Sequence, residues 1–557
     1  MRILGIEGTA WAASAAIFES DDLDSPSDDH VFIETDAYQP ESGGIHPREA
    51  AEHMGEKIPE VVETAIAHAQ QRAAAAGDDG PPIDAGEGTS SSQSPSPIDA
   101  VAFSRGPGLG PCLRIVGTAA RAVAQRFDVP LVGVNHMVAH LEVGRHRSGL
   151  DSPVCLNASG ANAHVLGYRN GRYRVLGETM DTGAGNAIDK FTRHIGWQHP
   201  GGPKVEQHAR NGQYHELPYV VKGMDFSFSG IMSAAKQAVD EDIPVNDVCR
   251  GLEETIFGML TEVSERALSL TGADELVLGG GVGQNQRLQR MLGEMCAQRD
   301  AQFFAPENRF LRDNAGMIAM LGAKMYAAGD TVEIEASGID SNFRPDEVAV
   351  TWRDSRESVN RVAEAGSEVQ GAEATVTIEP DRVVKSRTPR SYRHPELDER
   401  LRTERTRQEV RLTSEARRHG VPTPLVLDVD PESARIVFQH VGEVDLREAL
   451  STDTVAAVGG HLARIHDAGF VHGDPTTRNA RVDGGRTFLI DFGLGYYTGE
   501  PEDHAMDLHV LAQSLAGTAD DPETLFSAAT AAYRAESDHA ESVFDSLDDI
   551  EGRGRYQ

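Results

Sequence analysis

The chain has 557 residues, more than one ordinary core accommodates, and 87 acidic against 52 basic side chains give it a formal net charge of -35. Seven lysines stand against forty-five arginines, and the acids are spread along the whole length; this fits a surface adapted to molar salt, where nucleic acid stays open as a partner because salt already suppresses counterion release. Cys112, Cys155, Cys249 and Cys296 are too dispersed for a zinc ribbon and too few for a secreted disulfide scaffold, which points to the cytoplasm, and no stretch approaches the roughly twenty apolar residues of a membrane span.

The start, Met1 to Ile6, passes briefly for a signal peptide, but Glu7 interrupts the apolar run and the pattern predicts a first buried strand. Ser20 to His30 and Gly77 to Pro97 are acidic and Ser/Pro-rich, and predict surface loops. Between them Pro47 to Gln71 has helical periodicity. Ala100 to Ser104 predicts a strand running into Arg105-Gly106-Pro107-Gly108-Leu109-Gly110. A helix follows at Ile115 to Phe127, then strands at Leu131 to Val134, Val154 to Ala158 and Glu275 to Leu278. Alternation of this kind marks an α/β chain. After Phe343-Arg344-Pro345 the periodicity fades, so the domains are set at 1–345 and 369–557 with a linker at 346–368. Strands at Thr375 to Ile378 and Arg382 to Lys385 then lead into an Arg-rich helix from Pro395 to His419.

His136 and His140 stand four apart, so a helix places both imidazoles on one face, the arrangement of a two-histidine metal site. A zinc protease would need Glu after the first His, and Met137 occupies that place. Packed or solvated histidines are the plainer reading of such a pair alone. Glycine turns accompany it: Gly5 to Thr9, Ser159-Gly160-Ala161-Asn162, Gly201 to Lys204, and Gly279 to Asn285. Turns of this kind let backbone N–H groups approach phosphate or ribose. None fits a dinucleotide fingerprint or a Walker A loop. Early and late turns flanking a central acid suggest a duplicated ribonuclease-H-like fold of the actin and sugar-kinase type.

In the last third, Asp474 and Asn479 lie five apart in His472-Gly473-Asp474-Pro475-Thr476-Thr477-Arg478-Asn479, and Asp491-Phe492-Gly493 follows at hairpin distance. This is a kinase-type phosphoryl-transfer motif within a small kinase-like α+β domain. Asp474 would take the proton of the attacking hydroxyl, while Asn479 and Asp491 hold magnesium on the phosphates of ATP. Lys385, the one lysine after Lys324, stands where a phosphate-binding point charge belongs. Its partner is expected on the long helix at Glu409, with Glu404 and Glu415 as rivals. No glycine-rich loop precedes Lys385; Gly371-Ala372-Glu373-Ala374 stands there instead. The chain passes from Asp491-Phe492-Gly493 to a helix at Asp507 without an activation loop, which favours an ATPase over a signalling kinase. The closing Arg553-Gly554-Arg555 reads as a tail.

Residues 1 to about 343 resemble the archaeal tRNA threonylcarbamoyl-adenosine transferase, the catalytic subunit of the KEOPS complex. The resemblance is carried by Gly5 to Thr9, Ser104 to Gly110, His136 with His140, Gly185 to Phe191, Pro200 to Glu206, Phe226 to Gly230 and Arg312-Asp313-Asn314. The remainder resembles the small atypical kinase that partners it, so the whole resembles a fusion of the two. The resemblance implies one divalent metal, iron or zinc, on His136, His140 and Asp313. It implies adenylate contacts from the strand-turn Asn157, Ala158, Ser159, Gly160 and Ala161, and from Asp189, Gly202, Glu206 and Asn285. Threonylcarbamoyl-adenylate, tRNA and other KEOPS subunits are the implied partners. Three departures stand out: Asn157 replaces a tyrosine ligand, Ala161 replaces a turn glycine, and Gln286 replaces a second Asn. The alternatives are an actin-fold metabolite kinase fused to a regulatory protein kinase, which leaves the histidine pair unexplained, and a non-catalytic nucleotide-binding scaffold.

Overall fold

The computed structural model describes residues 1–23, 29–38, 46–76, 96–169, 171–353, 368–371 and 373–553. Most of the expected Gly77–Pro97 loop, part of the Ser20–His30 loop, residues 354–367 of the expected linker, Ala372, and Gly554 and Arg555 lie outside them.

The first 135 residues build a five-stranded sheet from β1 (Arg2–Glu7), β2 (Ala12–Glu19), β3 (His30–Ala37), β4 (Ala100–Gly106) and β5 (Leu131–Asn135). Helices α1 (Pro47–Ala76) and α2 (Gly110–Phe127) join them, and α3 (His136–Ser148) leaves the end of β5. The order is β3-β2-β1-β4-β5, antiparallel across β3, β2 and β1 and parallel from β1 onwards. The next segment supplies β6 (Val154–Ala158), β7 (Ala163–Arg169) and β8 (Arg172–Glu178), then α4 (Ala184–His194) and α5 (Gly202–Ala209). A short hairpin, β9 (Val221–Lys222) and β10 (Asp225–Phe226), precedes α6 (Ser229–Asp240) and α7 (Val245–Thr271). Then come β11 (Glu275–Gly279), α8 (Gln286–Gln298), β12 (Gln302–Phe304), α9 (Asn308–Leu311) and α10 (Ala315–Ala327). The second sheet runs β8-β7-β6-β11-β12 with the same alternation of antiparallel and parallel pairs. Identical topology in two successive sheets is a duplicated α/β unit, as the glycine turns predicted. Helix α2 begins at Gly110 rather than Ile115, because Pro111 is well placed in a first helical turn where no N–H partner is needed. Val348, Val350 and Trp352 still pack on the core of this half, past the expected end at residue 345.

The third unit is mixed α and β. Strands β13 (Glu368–Gln370), β14 (Thr375–Ile378) and β15 (Arg382–Ser386) precede α11 (Pro395–Arg418), and β16 (Val426–Asp430) and β17 (Arg435–Gln439) complete an antiparallel sheet ordered β13-β14-β15-β17-β16. Below it come β18 (Val444–Asp445), α12 (Thr452–Asp467), β19 (Phe470–Val471), β20 (Ala480–Asp483), β21 (Arg486–Leu489) and β22 (Tyr496–Tyr497). Three helices close the chain: α13 (Pro501–Thr518), α14 (Pro522–Glu536) and α15 (Ala540–Arg553). Helix α13 starts six residues before the expected Asp507, and its own packing joins α12, Leu462 and Phe492 in one apolar cluster. All four cysteines are buried thiols. Among the described residues no helix is long and apolar enough to cross a membrane.

Candidate functional site

The turn from β5 into α3 fixes the first constellation. Asn135 caps α3 by accepting from the backbone N–H of Met137 and Val138 at 3.0 and 3.1 Å, which satisfies donors a helix start leaves open. His136 and His140 therefore project from the first turns of a fixed helix. Their Nε2 atoms lie 3.3 and 3.2 Å from the same Asp313 Oδ1, delivered by the loop between α9 and α10. The three donor atoms lie within 4.8 Å of one another. Glu7, at the end of β1, stands behind them with Oε2 3.2 Å from His136 Nδ1, and Thr9 donates to its other oxygen through N and Oγ1 at 2.9 and 2.7 Å. Ser104 also donates to Glu7.

Burial opposes a charged ring at His136, yet Glu7 and Asp313 override it and raise its pKa to about 10. Asp313 is held far below the usual carboxylate range: burial opposes this, and the His136 charge dominates. A buried field that favours a proton this strongly favours any cation. Two imidazole nitrogens and a carboxylate, with a second carboxylate orienting one ring from behind, form a donor set suited to a divalent metal. Asn157 reaches the neighbourhood from β6. Its amide donates towards Met137 Sδ at 3.9 Å, and its oxygen is buried without a hydrogen-bond partner.

The glycine turns gather beside this centre. Gly280 has φ +82°, and a Cβ there would run into Ala158 O, so only glycine lets the β11 turn close against β6. The Ser159-Gly160-Ala161 turn is closed by Ser159 Oγ donating to Asn162 O at 2.7 Å, and it accepts from Asn186 N through Gly160 O. Asp189 accepts from Gly201 N at 2.7 Å, which ties α4 to the start of α5 at Gly202. Glu206 on α5 pairs with Arg210 at 3.1 Å. Asn285 caps α8 through Oδ1 and donates to Glu253 at 2.7 Å. Glu253 is pushed up to about 7, by burial first, with Glu206 and Glu254 adding to it against the Asn285 bond.

The second constellation lies in the third unit. Lys385 on β15 meets Glu409 on α11 at 2.9 Å and Asp491 Oδ1 at 2.7 Å. Glu404 is exposed and Glu415 pairs with Arg418, so neither competes. Arg387, two residues after Lys385, is also bound to Glu409. Asn479 donates to Asp474 Oδ2 at 2.9 Å and to its carbonyl at 2.8 Å. Asp507 on α13 holds the loop from beneath, accepting from His472 N at 2.7 Å and Gly473 N at 2.9 Å. Gly473 has φ +82° and its backbone passes against Leu494 O, so a side chain there has no room. Asp474 is raised to about 6: burial raises it, Arg266 lowers it, and Asp491 and Glu373 raise it further.

Sequence reasoning missed Glu7, Glu253, Glu373, Arg387 and Arg266 as site residues. Only Glu7 carried a signal, as an acid inside a buried apolar strand. Arg387 and Arg266 are two among forty-five arginines.

Residues 89–320 match the family described as TsaD: tRNA N6-adenosine threonylcarbamoyltransferase. Over its whole length the chain is 80% identical to a protein of Haloarcula marismortui, with 100% of both chains covered. It is 68% identical to one of Halobacterium salinarum and 48% identical to one of Methanospirillum hungatei, each covering 100% of this chain and 99% of the relative. All three are named probable bifunctional tRNA threonylcarbamoyladenosine biosynthesis protein.

Proposed function

The chain belongs to the family of bifunctional tRNA threonylcarbamoyladenosine biosynthesis proteins, and we propose that its two parts divide that work. The duplicated unit transfers a threonylcarbamoyl group from threonylcarbamoyl-adenylate to the exocyclic amine of the adenosine beside the tRNA anticodon. The observation that supports this most is the convergence of His136, His140 and Asp313 next to the glycine turns at 158–161 and 279–285. A divalent metal, iron or zinc, held by those three residues would supply Lewis-acid polarisation of the donor's carbonyl. Glu7 holds the His136 ring in place. The turn glycines leave backbone N–H groups free of side chains where an adenylate would lie as leaving group, with Asp189, Gly202, Glu206 and Asn285 around it.

The third unit, from about residue 369, is a small kinase-like ATPase that supports turnover. Asp474 takes a proton from the attacking oxygen, Lys385 contacts phosphate, Glu409 holds Lys385, and Asn479 and Asp491 would hold magnesium. The protein works in the cytoplasm with tRNA and with further KEOPS subunits.

Purified protein with partner subunits, unmodified tRNA and threonylcarbamoyl-adenylate, followed by nucleoside analysis, tests the first activity. Modified adenosine is the expected product; its absence in a metal-loaded preparation overturns the transferase reading. For the second, Lys385→Ala and Asp491→Ala are each expected to remove ATP hydrolysis from a folded protein, because both act on phosphate and magnesium rather than packing a core. Wild-type turnover in either variant overturns that assignment.

A further inference from the structure

Helix α7 belongs to the duplicated unit, yet its Arg266 enters the third unit beside Asp474. The guanidinium Nη1 lies 3.9 Å from Asp474 Oδ2. It donates to Gly223 O at 3.0 Å and Glu262 Oε1 at 2.7 Å, and it is bonded to Glu373. Glu373 stands where a nucleotide-covering loop is expected. The Arg266 side chain is only 7% exposed, and its Nε is buried without a hydrogen-bond partner. An arginine so placed is held in one orientation with donor capacity to spare. Within His472 to Asn479 the loop's own strong cation is Arg478, which sits in the field of Arg447, Asp445 and Arg299. The cation facing Asp474 therefore comes from the other unit.

Phosphoryl transfer spreads negative charge over the oxygens of the moving group, and a fixed guanidinium beside it lowers the barrier more than it aids binding. We infer that Arg266 serves the phosphoryl-transfer site from across the domain boundary, so that ATP is hydrolysed at a composite site with water as the acceptor. This rests on the ATPase reading of the third unit. In the step, a water oxygen bonds to the γ-phosphorus and its proton passes to Asp474. The bond from γ-phosphorus to the bridging oxygen breaks, and ADP leaves with that electron pair as phosphate forms. Arg266 donates to a γ-phosphoryl oxygen. With Gly223 and Glu262 also against this arginine, the duplicated unit covers that side of Asp474, where water is a smaller acceptor than a protein side chain.

The test is ATP hydrolysis by the full chain in molar salt with magnesium, comparing wild type with Arg266→Gln, Arg266→Lys, Arg405→Gln and Lys385→Ala. Arg405 binds the same two acids, Glu262 and Glu373, at 3.0 and 2.9 Å, so its variant reports on breaking the ion network alone. Both Arg266 variants are expected to lower kcat at least about tenfold with KM for ATP within about threefold, and Arg405→Gln to stay within about threefold of wild type. The lysine variant keeps the charge and the fold if the glutamine variant does not fold, and it lacks the planar fork. In the glutamine variant the acidic limb of the pH profile should also move to higher pH, since Arg266 lowers the Asp474 pKa. Equal losses in Arg405→Gln and Arg266→Gln, wild-type kcat in the Arg266 variants, or a rise in kcat would each overturn the inference. Hydrolysis that survives in Lys385→Ala sinks the ATPase reading itself, whereas dependence on Lys385 with indifference to Arg266 sinks only the composite site.

Discussion

The unpartnered amide oxygen of Asn157 sits near His140, since a Cβ on Gly279 would touch both residues. A neutral amide is a weaker donor than imidazole or carboxylate, so Asn157→Ala should change metal affinity by less than about tenfold. Combined His136→Ala and His140→Ala should abolish occupancy; elemental analysis that finds full metal in the double variant would remove the assignment. Asp225 allows a second test. It accepts from Glu178 N at 2.8 Å and lies 3.8 Å from His509 of the third unit. Burial first, then the Glu178 charge, raises it from 3.8 to about 8. A raised carboxyl stabilises the fold fully below about pH 4, and the contribution is lost as pH rises through about 8. Asp225→Asn should therefore gain on wild type between pH 5 and 8, by up to about 1.4 kcal/mol per pH unit. Denaturation curves at fixed molar salt read this, and a constant gap would refute it. Of the metal triad, the histidine pair was legible from i,i+4 spacing. Asp313 was reachable only through the resemblance, because spacing says nothing about a loop 173 residues further on. Glu409 was legible as the partner of Lys385 once a helix was read over 395–419.

Helix α7 shows what element-level reading leaves out. Its Glu262 accepts from Tyr219 at 2.6 Å and Arg393 at 2.6 Å, and pairs with Arg266 and Arg405 at 2.7 and 3.0 Å. Its Glu265 meets Arg390 at 3.1 Å and Tyr392 at 3.1 Å. The interface between the two parts thus holds a buried layer of ions beside Tyr392, which packs into the apolar core of the duplicated unit. Glu262→Ala leaves three guanidiniums facing one another without their shared counter-charge. Removing one partner of a buried pair costs about 3–5 kcal/mol, so chemical denaturation of this variant should show a loss of that size; less than about 1 kcal/mol would mean that the layer is solvated. No periodicity announces such a layer, since acids and arginines at these positions look like a solvated helix face. Strands β1, β4, β5, β6 and β11 were legible because apolar runs end in glycine or polar turns. Strand β2, Ala12–Glu19, went unread: its alanines favour helix, and pairing on both sides with β1 and β3 overrides that preference.

Across the whole molecule, buried acids and buried cations nearly offset one another, so the formal charge of -35 is carried on the outside. Arg266, Arg387, Arg390, Arg393 and Arg405 are buried against Glu262, Glu265, Glu373 and Glu409. Those cations neutralise internal acids and are not offered to solvent. The surface that remains repels itself at low ionic strength, and a Debye length of about 3 Å at 1 M removes most of that repulsion. Removing salt should therefore unfold the protein, while the buried ion layer, screened far less, should hold its contacts until the fold fails. Salt acts on tRNA binding as well. Affinity that depends on neutralising Z phosphates falls with salt at a logarithmic slope near -0.9Z for duplex nucleic acid. With 87 acids against 52 basic side chains the surface offers phosphates little net positive charge, so recognition is expected to run through shape, stacking and partner subunits. Measured by titration within the folded range, the salt slope for tRNA should be shallow, on the order of two phosphates or fewer. A steep slope, or full stability and activity in dilute buffer, would show that the acids serve a partner rather than the solvent.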